Sequence, residues 1–166
     1  RYADDIAFST PDEAVDLLAP GAKTAILVGN SVLDDPATLK LLQGIAEKTG
    51  ATVIAPTSAR RTERGQGRAP LPKIPYPINE AIACLAPYQR AILIETLPPV
   101  AFFAYPGKES WLTPEHCELL MLAEPSEDID STVSALMDAL DIRGPTFRLS
   151  IGKRYRSTIR IRSPMW

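Results

Sequence analysis

Two cysteines and one histidine are all that this 166-residue chain has of the side chains that most often hold metals or form disulfides. Cys84 and Cys117 make neither a disulfide framework nor a Cys-x-x-Cys pair, and both are expected to be buried, reduced thiols. His116 has no further ligands at a metal-binding spacing and is expected at the surface. No Ser or Cys has a histidine partner at a recognisable spacing, so the sequence offers no catalytic residue and no metal ligand. No stretch of about 18 uncharged apolar residues occurs, and the N-terminus lacks a basic-then-apolar signal pattern, which predicts a soluble, cytoplasmic protein without a membrane partner. Glycine is too sparse for a dinucleotide fingerprint. After Gly29 the G-x-G-x-x-G pattern needs glycines where the chain has Ser31 and Asp34.

Proline, by contrast, is plentiful: 16 residues, roughly twice ordinary usage, placed mainly between apolar runs as loop punctuation. The length suits one domain able to bury its own core without staples. Charge is uneven along the chain. All 20 acidic residues precede Arg143, and 12 basic residues up to that point leave a balance of −8, whereas residues 144–166 hold six basic side chains and no acid. This tail reads either as a basic arm for nucleic acid or an acidic partner, or as a non-native terminus. The abrupt change in composition favours the second reading, so nucleic acid is not the expected partner. The start on Arg1 rather than Met suggests a piece of something longer.

The chain is organised around Lys23 to Val32. Thr24 to Val28 is an apolar run without alternation, as expected of a strand covered on both faces, and Gly29 begins the turn that leads towards a helix. Further apolar runs at Ala51–Ala55, Ala91–Glu95 and Cys117–Leu122 predict three more strands. Between them lie helical patterns. Thr10 and Pro11 can start a helix over residues 11–18, and Asp35 can cap one that begins at Pro36, carries Leu39, Leu42, Ile45 and Ala46 on one stripe, and stops at Gly50. Ile78 to Leu85 is the next, and Asp128 or Asp130 caps a last helix carrying Val133, Leu136, Met137 and Leu140. Residues 1–10 show no clear period. Four strands separated by helices or long crossovers cannot be tight hairpins, so the expected fold is α/β: a three-layer, Rossmann-like domain with a mostly parallel sheet and helices on both faces.

Two connecting segments stand out. Pro56–Pro75 is a loop of about 20 residues that holds Arg60, Arg61, Arg64 and Arg68 with two glycines; alone, with few apolar side chains to offset its entropy, Ala59–Ala69 is expected to be mobile. Pro98–Gly107 gathers Phe102, Phe103 and Tyr105. Prolines at both ends rule out a central strand, so it is expected to be a loop or short helical turn that buries Phe102 and Phe103; stacking on a flat ligand is the less favoured alternative.

Three strings carry a family resemblance: Thr24 to Asn30, Leu41 to Ala55 with its leucine-rich helix, Ala-Glu and Thr-Gly-Ala before a strand, and Pro99 to Leu112 with Pro-Val, Phe, Tyr and Pro-Gly. Over residues 10–142 the chain resembles the central domain of thiamine diphosphate-dependent enzymes of the acetolactate synthase and benzoylformate decarboxylase group. The resemblance implies a central domain over 1–143, with the tail 144–166 outside it. It also implies a parent enzyme with thiamine diphosphate and magnesium, a pyrimidine-binding domain with a catalytic Glu, a diphosphate-binding domain with a Gly-Asp-Gly metal motif, and a homo-oligomeric state. No Gly-Asp-Gly occurs here, so the isolated chain is expected to be an inactive scaffold with no cofactor of its own. The alternative is a free-standing FAD-, ADP- or NAD-binding module that uses Gly29, Asn30, Arg60, Arg61 and Arg64, the arginines clasping phosphate oxygens. One departure from the family weakens it. Where relatives end the third strand in a glycine that admits a nucleotide, this chain has Glu95, whose charge would repel a phosphate.

Overall fold

The computed structural model describes residues 6–60, 71–103 and 106–142. Expectations for Arg61, Arg64, Arg68 and Tyr105, for the mobility of residues 61–69 and for the tail 144–166 therefore fall outside the described residues.

The four apolar runs form strands β2 (Thr24–Val28), β3 (Thr52–Ile54), β4 (Arg90–Ile94) and β5 (Glu118–Ala123), and a two-residue strand, β1 (Ala7–Phe8), joins them. Every pairing is parallel, and the order across the sheet is β1-β5-β4-β2-β3. The predicted α/β architecture is thus the observed one, with the four expected strands side by side. β1 was not anticipated because two exposed residues carry no periodic signal.

The helices start and stop where local chemistry dictates. In α1 (Pro11–Leu17), Thr10 Oγ1 accepts from the Glu13 amide while Glu13 Oε2 accepts from the Thr10 amide at 2.8 Å, a reciprocal capping box that satisfies two orphan donors. α3 (Pro36–Thr49) is capped by Asp35, whose carboxylate accepts from the amides of Ala37 and Thr38, and it ends at Gly50, where φ of 77° favours glycine. α4 (Ile78–Leu85) and α5 (Ile129–Ala139) follow, the latter capped by Asp128 rather than Asp130. One helix, α2 (Asn30–Asp34), is additional. Its N-cap is Gly29, which offers no side-chain cap, and five residues are too few for a period to show.

Successive strand residues point to opposite faces, and this chain makes both faces apolar. Ile26, Val28, Val53, Ile92, Ile94, Leu120 and Leu122 pack against α1, α3 and α5. Ala25, Leu27, Ile54, Ala91, Leu93, Leu119 and Met121 pack against α4 and the segment around Leu112. Helices therefore cover both faces: α1, α3 and α5, with the short helix α2, on one, and α4 on the other. Polar ties fix their positions: Thr38 Oγ1 reaches Asp130 Oδ1 from α3 to α5, and Thr24 Oγ1 donates to the Leu17 carbonyl. Cys117 is buried as expected, but Cys84 is only half-buried, because its position on α4 lies beside the inward stripe of Ala81 and Leu85. No helix among the described residues is long and apolar enough to cross a membrane.

Candidate functional site

The sheet order defines where a ligand would sit. After β2 the chain crosses by α3 to β3 on one side, and then returns by α4 on the other face to β4 on the far side of β2. The strand order reverses between β2 and β4, and in open α/β sheets ligands occupy the crevice at the carboxyl ends of the two strands that flank such a point. Here the residues at that point are Gly29 and Glu95.

They are locked together. The Gly29 amide donates to the Ile94 carbonyl at 2.9 Å, and Glu95 turns back over it with φ of 58°, a left-handed conformation that glycine adopts far more readily than glutamate. Its Oε2 accepts from the amides of Ser31 at 2.9 Å and Val32 at 3.3 Å, the first free donors of α2. A methyl group at position 29 would overlap the Glu95 carbonyl oxygen and Oε2, so Gly29 is needed for close approach and not for its own φ. The expectation that Glu95 would repel a phosphate gains a structural cause. Its carboxylate already occupies the position in which an incoming phosphate would meet those amides.

Of the nucleotide-site candidates, the structure brings Gly29, Asn30 and Arg60 together. The Arg60 amide donates to Asn30 Oδ1 at 3.1 Å, while the Arg60 guanidinium pairs with Asp34 at 3.5 Å. At the near end of the loop Ala59 and Arg60 bond to the domain, with Lys73 Nζ donating to the Ala59 carbonyl and the Ala59 amide to the Pro56 carbonyl. On the far side, Pro72–Ile74 runs parallel to Ala55, extending the edge of the sheet.

Between these elements lies a cleft of about 500 Å³, floored by Leu27, Ile74 and Leu112 and walled by Tyr76, Pro98 and Phe102. The aromatic segment that lines it does not behave as the sequence predicts. Phe102 and Phe103 are 72% and 52% exposed, not buried. The reason is a hairpin-like return, in which the Ala101 amide bonds to the Ser110 carbonyl and the Leu112 amide to the Pro99 carbonyl. That return places Leu112 in the core and leaves the two rings outside it. Tyr76 and Phe102 lie 6.3 Å apart between ring centres, and Phe103 meets Phe102 edge-on at 4.8 Å. Local hydrophobicity could not separate these outcomes; the antiparallel bridge of Val100 to Trp111 decides them. His116 is exposed, and no group of three or more His, Cys, Asp or Glu side chains among the described residues could hold a metal ion.

No protein-family model matches the chain. Over 122 residues it is 34% identical to "Putative acetolactate synthase large subunit IlvX" of Mycobacterium tuberculosis, a match that takes in 74% of this chain and 23% of that protein. The chain carries a domain of the thiamine diphosphate-dependent enzymes. It spans about a quarter of the length of this relative. Its fold agrees with that of a solved structure from Mycobacterium smegmatis titled as "a putative thiamin diphosphate-dependent enzyme", at a TM-score of 0.56 over 84% of this chain and 28% of that one, with 17% identity. The thiamine diphosphate-enzyme domain therefore presents, at its switch point, a self-capped crevice and an open aromatic cleft.

Proposed function

We propose that residues 1–143 serve as the non-catalytic central scaffold of a thiamine diphosphate-dependent enzyme of the acetolactate synthase-like or 2-keto acid decarboxylase-like kind. Its partners on this reading are the pyrimidine-binding and diphosphate-binding domains of a longer, homo-oligomeric, cytoplasmic parent that uses thiamine diphosphate and magnesium. The observation that carries it is the Glu95 carboxylate on the Ser31 and Val32 amides. A domain that fills its switch point with its own side chain is complete without a nucleotide, so its contribution is shape and contact. This also disfavours the free-standing nucleotide module.

The residues present do not fit thiamine diphosphate itself. The sequence holds no Gly-Asp-Gly, and the described residues hold no carboxylate cluster to take the magnesium that would bridge its diphosphate. No catalytic step is assigned to this chain.

The test is an assay of the pure chain with thiamine diphosphate and magnesium. The expected result is no turnover of pyruvate or benzoylformate above the buffer rate, and no shift of the thermal midpoint when the cofactor is added. Calorimetry with FAD, NAD and ADP should show no binding at or tighter than about 10 μM, roughly −7 kcal/mol. Turnover would overturn the non-catalytic role, and nucleotide binding at that level would restore the alternative.

A further inference from the structure

We propose that the cleft beside Glu95 is a binding site for an aromatic cation, a flat ring carrying an ammonium group. This goes beyond the scaffold reading and is tested separately from it, since neither turnover nor nucleotide affinity enters.

The first observation is where the exposed apolar surface lies. Six large hydrophobic side chains are exposed among the described residues, and five of them are in one place: Tyr76, Leu97, Val100 and Phe102 line the cleft, and Phe103 meets Phe102 edge-on. Such a concentration marks a binding surface, not the scatter ordinary for a protein exterior. The second is its size. The concave volume of about 500 Å³ falls in the ordinary range for small-molecule sites. The geometry thus favours a small ligand over a second copy of the chain.

The third observation is charge. Glu95 is the one charged side chain that lines the cleft among the described residues. Its hydrogen bonds both go to Oε2, so Oε1 keeps its acceptor capacity. The hydroxyls of Thr57 and Thr96, also on the wall, already donate to the carbonyls of Pro75 and Leu97. Asn30 and Ser58 add neutral polar groups to the wall, so the one formal charge a ligand meets there is negative, which favours a positive group over a phosphate. The ring faces of Tyr76 and Phe102 favour the same sign, because their quadrupoles attract a cation within about 6 Å.

The experiment uses three matched probes: benzyltrimethylammonium, benzyl alcohol and benzylphosphonate. Each is titrated into the chain while the backbone amide resonances of Ser31, Thr96 and Ala101 are followed by NMR. Benzyltrimethylammonium should bind about tenfold more tightly than either of the others, the size of a well-desolvated cation–π contact. Phe102→Ala and Glu95→Gln should each weaken it about fivefold or more. Phe102 is exposed, so its truncation leaves the fold intact, and the carboxamide introduced by Glu95→Gln keeps an oxygen for the two amides. Tighter binding of benzylphosphonate would overturn the proposal and assign the cleft to anions. So would cation affinity unchanged in both variants, or a concentration-dependent dimer abolished by Leu97→Asp.

Discussion

Replacing Glu95 separates two opposing terms at the switch point. The side chain contributes charge-assisted hydrogen bonds to two amides, one exposed at Ser31 and one half-buried at Val32. A hydrogen bond to a charged group contributes about 1.5–3 kcal/mol net. Water can replace the bond at Ser31 but not fully at Val32, so Glu95→Ala should destabilise by about 2 kcal/mol. The backbone there, at φ of 58°, costs a non-glycine residue about 1 kcal/mol, and alanine retains that cost. Glycine does not. Glu95→Gly loses the same hydrogen bonds but relieves the strain, so it should lie about 1 kcal/mol above Glu95→Ala in stability. Glu95→Gln, with a neutral acceptor, should fall between alanine and the parent chain. Urea unfolding followed by far-ultraviolet circular dichroism resolves these steps, because 1 kcal/mol moves the midpoint by roughly 0.5 M at a typical slope. An alanine variant within about 0.5 kcal/mol of the parent would show that the carboxylate does not hold the amides. A glycine variant less stable than alanine would show that the left-handed turn is not strained.

Three further outcomes follow from the packing and the caps. Ile92→Ala, at a fully buried position in register with Ile26 and Leu120, should cost about 3–4 kcal/mol by the same unfolding assay, and Ile92→Val about 1. Thr10→Ala removes half of the α1 capping box and should cost about 1 kcal/mol, read as a lower unfolding midpoint. The Asp35 carboxyl is held below its ordinary value chiefly by the Thr38 hydroxyl, with burial opposing and the Ala37 and Thr38 amides assisting. A depressed folded-state value means stability that is complete above the unfolded-state value and is lost as pH falls through the folded one. The parent chain should therefore lose stability below about pH 4, and Asp35→Asn should flatten that acid limb while leaving neutral-pH stability less affected.

Much of this architecture is written locally. Pro36 and Gly50 bound α3 because one fits the first helical turn and the other the left-handed exit, and the apolar runs are strands because both of their faces are covered. Where the reading fell short, the deciding contact was distant. β1 exists only because Ala7 and Phe8 pair with Leu120 and Met121, more than 100 residues away. The Phe102 and Phe103 side chains are apolar enough for a core, yet their placement depends on which residue of the return strand reaches the interior first, and Leu112 does. The site was half legible. Gly29, Asn30 and the importance of Glu95 could be found from position and charge, but a bond spanning 64 residues to the Ser31 amide has no signature in either segment.

The pairing of Gly29 with Glu95 also says what the crevice is shaped for. Two strand ends that approach this closely need one residue without a side chain, and Gly29 supplies it. On the facing strand, glycine would again be easier for the backbone, yet the chain places there a glutamate in a left-handed conformation. The strain persists because the carboxylate satisfies amides of α2 that would otherwise need water or an anion. A phosphate could enter only by displacing those bonds and then facing the released charge. The apolar wall from Tyr76 to Phe102 carries no such internal partner and remains open to solvent. Closure at the polar end is thus the work of Glu95, and openness at the aromatic end that of the return which places Leu112 in the core.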